Sequence, residues 1–342
     1  MTRPLYDLSG RKVLVTGGAG FIGSRTVDHL LMAGAGEIVV VDDMVRGRRD
    51  NLALSLASGR VRLVQGDICD RALMNDLVSG SDTVFHLAAL RITQCAAEPR
   101  RAIEVMVNAT YDLLEACVEA KVRKVVMASS ASIYGMASSF PTREDHNPYA
   151  NRTLYGAAKT FGEGLLRTFN DMHGLDYVAM RYFNAYGPRM DVHGRYTEVL
   201  IRWMERIDAG LPPIVFGAGD QTMDMVHVDD IARANLLAAR APASDLVLNI
   251  GSGTETSLAR LAELTTQAMG GKGLMLVHER ERAVNPVPKR LADISLAMER
   301  IGFAPKVSLE DGLRGLVAWW RTEKSKAATT KGEVACPARV PT

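Results

Sequence analysis

The stretch Lys12-Val-Leu-Val-Thr-Gly-Gly-Ala-Gly-Phe-Ile-Gly23 constrains the fold of this chain more than any other. A short β-branched run meets a glycine cluster, and Ser24 to Ala33 continues with apolar Val27, Leu30 and Leu31 at helical spacing. Gly17 to Gly23 satisfies G-x-x-G-x-x-G and, from Gly18, G-x-G-x-x-G. A strand, tight turn and helix of this kind lets a pyrophosphate approach backbone N–H groups at a helix N-terminus, where any Cβ would obstruct it. Gly17, Gly20, Phe21, Ile22 and Gly23 are therefore the expected phosphate loop. Glu37-Ile-Val-Val-Val-Asp42 reads as the next buried strand. A carboxylate at its end suits the two ribose hydroxyls of an adenosine and repels a 2′-phosphate, which selects NAD over NADP. Arg46, Arg48 and Arg49 nearby pull the other way. Asp67-Ile68, after a third strand, is placed to cap the adenine, although Asp67 taken singly is equally an ordinary turn residue.

Val61–Val64, Thr83–Leu87 and Lys124–Met127 are further short apolar runs, separated by helical stretches. Strands alternating with helices imply an α/β fold, a doubly wound parallel Rossmann sheet covered on both faces. Two long helices are expected over roughly 97–121 and 155–173, with a strand over 175–181. After Gly187-Pro188 the segments become shorter and richer in Gly and Pro. The expected division is a dinucleotide-binding domain over 1–187, a smaller substrate lobe over 188–322, and a mobile tail over 323–342. The lobe is partly interleaved, because Val226-His-Val228 and Leu246-Val-Leu-Asn-Ile250 again read as buried strands of the first domain, from about 224 to 250.

At 342 residues, 47% hydrophobic and 23% charged, the chain is long enough for two such units, and disorder throughout is excluded. The net charge is +2, and Lys324, Lys326, Lys331 and Arg339 against Glu323 and Glu333 place that whole excess in the tail. No basic footprint for nucleic acid or an acidic membrane results. Cys69, Cys95, Cys117 and Cys336 form no CxxC pair and no His/Cys cluster, so neither a disulfide framework nor a metal site is expected. With no apolar signal core and no run of 18 apolar residues, a soluble cytoplasmic protein is the expectation.

Three later segments carry chemistry together: Ala128-Ser-Ser-Ala-Ser-Ile-Tyr-Gly135, Tyr155-Gly-Ala-Ala-Lys159 and Arg181-Tyr-Phe-Asn184. Tyr155 and Lys159 share a helix face, being four apart. Alone, Y-x-x-x-K is usually an amphipathic face with a solvated lysine. Behind a dinucleotide loop it reads as a phenol whose proton loss is assisted by an ammonium. At about 5 Å and an effective dielectric of ~20 the attraction is ~3 kcal/mol, or roughly two pKa units. Such a tyrosine can serve as general base near neutral pH, and Ser130 at a strand end can bind the same substrate oxygen. His86 and His227 read as packed strand residues rather than catalysts.

With these motifs the chain resembles an extended short-chain dehydrogenase/reductase of the nucleotide-sugar epimerase/dehydratase branch, most similar to its UDP-glucose 4-epimerases. The likeness covers residues 11–321 and includes Gly217-Ala-Gly-Asp-Gln-Thr-Met-Asp-Met-Val-His-Val-Asp-Asp230 and Arg290-Leu-Ala-Asp-Ile294. It implies that Asp42, Asp43, Asp67, Ile68, Leu87, Ala88, Ala89, Arg91, Asn108, Tyr155, Lys159 and Tyr182 line the NAD pocket. It implies a catalytic set of Ser130, Tyr155 and Lys159. Ser130, Ser132, Asn184, Arg189, Gly217, Gln221, Arg282 and Arg290 would face a nucleotide-sugar, a UDP-hexose by resemblance. The resemblance also implies a homodimer, built through the two long helices.

Dehydratases of this branch carry an Asp-Glu pair after the Ser/Thr, where this chain has Ala131 and Ser132. Elimination of water then lacks its proton donor, so the expected reaction is inversion at C4 through a transient 4-keto sugar. The competing readings are a dehydratase or reductase on the same scaffold, and a cofactor-sensing regulator. Met223 stands where the family's T-R-D segment has a diphosphate-binding Arg, and Ala283 where a second is expected, with Arg280 or Arg282 adjacent. Arg189, Arg195, Arg202 and Arg282 are the candidate replacements. Arg290 occupies the family's sugar-size gate, where it either pairs with an anionic sugar or is a solvated edge residue.

Overall fold

The computed structural model describes residues 5–192, 198–280 and 287–334. The strands are β1 Lys12–Thr16, β2 Glu37–Asp42, β3 Val61–Gln65, β4 Thr83–His86, β5 Lys124–Ser130 and β6 Asp176–Tyr182. They continue with β7 Asn184–Tyr186, β8 Ile214–Phe216, β9 Thr222–His227, β10 Leu246–Ile250, β11 Glu255–Ser257 and β12 Val277–Glu279. The helices are α1 Phe21–Met32, α2 Ala53–Ala57, α3 Arg71–Val78, α4 Ile92–Ala97, α5 Pro99–Ile103 and α6 Ala109–Glu119. After them come α7 Leu154–His173, α8 Val199–Asp208, α9 Val228–Arg240, α10 Leu258–Met269, α11 Ser295–Ile301 and α12 Leu309–Val334.

Seven strands form one parallel sheet in the order β10-β6-β5-β4-β1-β2-β3. Alternation along each strand decides which core a residue joins. Val13, Val15, Ile38 and Val40 pack on one face with Val27 and Leu30 of α1 and Ile231 and Ala238 of α9. Leu14, Val39 and Val41 pack on the other with Met74 of α3, Leu113 of α6 and Leu166 of α7. Each such buried side chain stabilises the fold by about 1.5–3 kcal/mol of transfer free energy, which is why the strands read as unbroken apolar runs. The strand order reverses between β1 and β4, so a crevice opens beyond their carboxyl ends. This is the doubly wound Rossmann sheet the sequence predicts.

Four particulars differ from, or refine, the sequence reading. Of the two later segments, only Leu246–Ile250 joins the central sheet, beside β6. Strand β9 pairs instead with β7 and β11 in a three-stranded sheet, and Val228 already begins α9. The helix expected over 97–121 is α5 and α6 joined by a wide π turn, Glu104–Asn108. Residues 323–334, expected as tail, continue α12, because helix formers such as Glu323 and Lys324 extend a helix already packed through Leu316 and Trp320. Positions 335–342 of that expected tail lie outside the described residues.

A third apolar cluster joins α8, α10 and α12 through Trp203, Met204, Leu261, Leu313 and Trp320. Among the described residues no helix is long and apolar enough to cross a membrane.

Candidate active site

The crevice is built first from backbone. Gly17 has φ +66°, and a Cβ there would lie 2.8 Å from Ala88 N and Cα; one on Gly23 would lie 2.1 Å from Gly17 O. Thr16 Oγ1 accepts from the N–H groups of Leu87 and Ala88 at 3.2 and 3.1 Å, tying the ends of β1 and β4 together. Asn51 Nδ2 donates to Ala19 O at 2.9 Å and steadies the loop from the other side. No side chain caps the start of α1, so its first N–H groups are available to an anion.

A cleft of about 560 Å³, within the usual range for cofactor sites, is lined by Gly17, Gly20, Phe21, Ile22, Gly23, Asp42, Asp43, Asp67, Ile68, Leu87, Ala88 and Ala89. Asp42 is buried, which raises its carboxyl pKa, while its oxygens accept from Met44 N and Ala19 N at 3.0 Å each. Asp67 accepts from Cys69 N at 2.9 Å and pairs with Arg101. Arg101, Gln94, Val105 and Trp319 also border the cleft and were not anticipated; they come from α5, α4, the π turn and α12, where no local motif marks them. A glycine cradle, an uncapped helix start and a ribose-side carboxylate fit a dinucleotide.

Chemistry sits where β5 and α7 meet. Ser130 ends β5, and its Oγ accepts from Ser132 N at 3.1 Å. Thr153 caps α7 by accepting from Gly156 N at 3.0 Å, which sets Tyr155 in the first turn and Lys159 one turn later. Lys159 is buried, donates from Nζ to Ala128 O at 2.6 Å, and stands 5.9 Å from the Tyr155 ring centre. Burial lowers its pKa to about 8. Burial also raises the Tyr155 phenol, and the lowering effects of a Ser130 hydrogen bond and of Arg290 do not cancel it. In this structure burial is the leading effect on the phenol, and the Lys159 ammonium is committed to a carbonyl. The charge of Cys95 on α4 acts on both Tyr155 and Lys159, and its neighbour Gln94 borders the cleft, whereas Ser130, Tyr155, Lys159, Arg91 and Tyr182 are not among the residues that line it.

Other expected residues fall in different places. Arg189 borders the cofactor cleft and pairs with Asp28 of α1 at 2.8 Å. Arg91 pairs with Asp191 and Glu198 at 3.6 and 3.7 Å. Asn108 is exposed at the end of the π turn and is not part of the cleft lining. Tyr182 is buried and donates to Asn235 Oδ1 at 2.6 Å. Asn184 Nδ2 contacts Met223 Sδ at 3.4 Å, and its Oδ1 is buried without a partner. Gly217 N donates to Glu279 O at 2.9 Å, and Gln221 O accepts from Leu258 N at 2.9 Å. Arg202 is exposed on α8, and Arg280 is exposed after β12. Arg195, Arg282 and Ala283 lie outside the described residues. His86 bridges Thr16 and Thr110 at 2.9 and 3.1 Å, with burial pushing its pKa down to about 3; His227 caps α9.

Residues 13–251 match the model of the NAD dependent epimerase/dehydratase family. The chain belongs to that family. It is 35% identical to the UDP-glucose 4-epimerase of Mycolicibacterium smegmatis, over 91% of this chain and 99% of that one. It is 31% identical to the dTDP-glucose 4,6-dehydratase of an Actinoplanes species, over 92% of this chain and 99% of that one. The solved UDP-N-acetylglucosamine 4-epimerase of Methanobrevibacter ruminantium, in complex with UDP-N-acetylmuramic acid, superposes with a TM-score of 0.86 at 32% identity, covering 92% and 99%. This protein is accordingly an NAD-dependent enzyme of the nucleotide-sugar epimerase/dehydratase class.

Two supports of the family site were not legible in the sequence. Behind Ser130, Glu163 of α7 takes Ser129 Oγ at 2.5 Å and a bidentate pair from Arg181 of β6 at 2.9 and 2.7 Å. Arg181 also donates to Tyr134 OH and Glu144 O, both at 2.8 Å. Asp224 of β9 is fully buried and gathers the N–H groups of Ser252, Gly253 and Ala292 at 2.6, 3.0 and 3.1 Å. Both link residues far apart in sequence, so no spacing announces them.

Proposed function

We propose that this protein is a cytoplasmic NAD-dependent nucleotide-sugar 4-epimerase that inverts C4 of an NDP-hexose through a transient 4-keto sugar. What carries the reading is the chemistry available around Tyr155. The positions after Ser130 hold Ala131 and Ser132, and among the described residues the groups that act on the phenol, Ser130, Cys95, Lys159, Tyr182 and Arg290, include no carboxylate. Glu163, the carboxylate felt by Lys159, is engaged by Arg181 and Ser129. A dehydratase needs a carboxyl acid at C5–C6, whereas an epimerase needs only a base for the 4-hydroxyl.

In this reading Tyr155 takes the proton of the 4-hydroxyl and returns it after the sugar has turned over. Ser130 holds the same oxygen in place. Bound NAD supplies the acceptor and donor of the C4 hydride. Ser130 and Arg290 oppose the burial that holds the phenol protonated, and the positive charge of bound NAD would act in the same direction. Gly17, Gly20, Gly23, Asp42 and Asp43 would hold the cofactor, and Asn184, Gly217 and Gln221 the nucleotide-sugar, with UDP the favoured nucleotide. Relatives of the chain include a UDP-glucose 4-epimerase and an epimerase solved with a UDP-sugar. Ile103, Tyr111 and Phe161 are exposed on α5, α6 and α7, the helices on which we place a homodimer interface.

The test is incubation with UDP-, GDP-, CDP- and dTDP-sugars, followed by proton NMR and mass spectrometry. C4 inversion at constant mass is expected, and loss of water would replace the reading by a dehydratase. Tyr155→Phe should lower turnover by roughly 10²–10⁴ while retaining NAD, the range for removal of a general base.

A further inference from the structure

The loop after β2 carries Arg46, Arg48 and Arg49, residues that on a dinucleotide fold suit the 2′-phosphate of NADP, yet the enzyme is NAD-dependent. The fold sets two of these arginines against the ribose end of the cleft. Ala19 N donates to Asp42 Oδ2 at 3.0 Å, and Ala19 O accepts from Arg48 N at 3.1 Å. A Cβ on Gly47 would lie 2.4 Å from Asp42 Oδ1. Backbone contacts therefore seat Gly47 and Arg48 on the carboxylate suited to the ribose hydroxyls. Arg46 and Arg48 border the cofactor cleft, whereas Arg49 is exposed and is not among the residues that line it.

Both lining arginines face acids brought from far along the chain. Arg46 Nε lies 3.6 Å from Asp191 Oδ2, in the segment after β7. Arg48 Nη2 lies 3.9 Å from the exposed Asp50 and 4.0 Å from Glu323 Oε2 of α12, whose side chain is only 12% exposed. Glu323 is presented by a helix anchored elsewhere. Leu316 and Trp320 pack into the apolar cluster with α8 and α10, Arg321 Nη2 donates to Met269 O at 2.8 Å, and Lys324 pairs with Asp208. Trp319 and Glu323, four apart and so on one face of α12, are left bordering the cleft. An arginine already facing a carboxylate offers little to a second anion, because a phosphate must displace the acid and meets its repulsion.

We propose that Glu323, together with Asp191, sets the cofactor choice of this enzyme by holding Arg48 and Arg46 as ion pairs and so excluding the 2′-phosphate of NADP. Asp42 selects by receiving the ribose hydroxyls, and the two distant acids select by withholding the arginines. The inference concerns the cofactor alone and stands whichever nucleotide-sugar reaction follows.

The experiment incubates the full chain, with its bound NAD, in mixtures of NAD and NADP until exchange is complete. Nucleotides released on denaturation are then counted by mass spectrometry, and Tm reports on folding. Wild type should retain NAD in strong preference to NADP. Glu323→Gln should narrow that preference about tenfold, the scale of one charge-assisted bond gained by Arg48. Adding Arg48→Met to Glu323→Gln should return the preference to within about threefold of wild type. Asp191→Asn, with and without Arg46→Met, repeats the cycle at the second pair, so the test does not hang on the folding of one variant. An unchanged preference in a folded Glu323→Gln or Asp191→Asn protein would overturn the inference, as would a variant that loses NAD and NADP equally. So would a narrowed preference that survives Arg48→Met, since the exposed Lys326, which meets Glu323 at 2.8 Å, would then be the cation concerned.

Discussion

Replacing Glu163 by Gln tests the buried pair that backs the catalytic strand. Arg181 is 7% and Glu163 8% exposed, and they meet through two bonds, Nε to Oε1 at 2.9 Å and Nη2 to Oε2 at 2.7 Å. The Glu163→Gln change would preserve the shape and one acceptor, but it would turn an N–H₂ toward an arginine N–H at 2.7 Å and remove the neutralising charge. Losing one charge-assisted bond costs about 1.5–3 kcal/mol, and stranding the buried guanidinium brings the total to roughly 3–5 kcal/mol. At about 2–4 °C per kcal/mol for a chain of this scale, Tm should fall on the order of 10 °C. The double replacement Glu163→Met with Arg181→Met removes both charges and should recover at least ~2 kcal/mol of the single-variant loss. Urea unfolding of wild type, the two single Met variants and the double variant gives the coupling directly. A Glu163→Gln protein within about 1 kcal/mol of wild type would refute the argument, because the pair would then be solvated like a surface ion pair.

Two further perturbations address the cofactor side of the sheet. His86 is held neutral by burial, with the Lys159 charge adding to the effect, and its folded pKa of about 3 lies below the ordinary 6.5. The unfolded chain therefore binds an extra proton between those values, so the contribution is present above pH 6.5 and is lost as pH falls toward 3. Wild type should lose roughly 4–5 kcal/mol across that window from this residue, and a His86→Gln protein should show a visibly flatter slope in pH-dependent denaturation. An unchanged slope would show that His86 titrates normally in the fold. Gly23→Ala places a Cβ 2.1 Å from Gly17 O, and the loop or α1 must move by more than an ångström. The expected results are a loss of about 1–3 kcal/mol of stability and a large fall in NAD recovered after denaturation. Wild-type NAD content in this variant would contradict the close packing of loop and helix.

Local sequence determined a great deal of this protein, because each of the relevant features is specified within a few residues. A β-branched run, four glycines and an apolar helical stripe demand a strand–turn–helix around Gly17 to Gly23, and repetition of that unit demands a parallel sheet. The Tyr155–Lys159 spacing and the absence of acids at Ala131 and Ser132 are likewise legible without coordinates. Over residues 323–334 the apolar stripe ends but the helix does not, because propensity carries α12 onward.

Tertiary structure alone decided the partners, since a charge becomes meaningful through what the fold brings beside it. Arg189, expected at the sugar, is drawn to Asp28 on α1, and Lys159 to a carbonyl at the end of β5. Burial is the leading effect on the Tyr155 phenol, because desolvation depends on surroundings that no spacing encodes. The same holds for Glu163 with Arg181 and for Asp224 with its three N–H donors, contacts made across 18 to 68 positions of chain. Periodicity and turn chemistry act within a few residues, whereas electrostatics and solvation act through space, and only the folded chain brings such distant groups together.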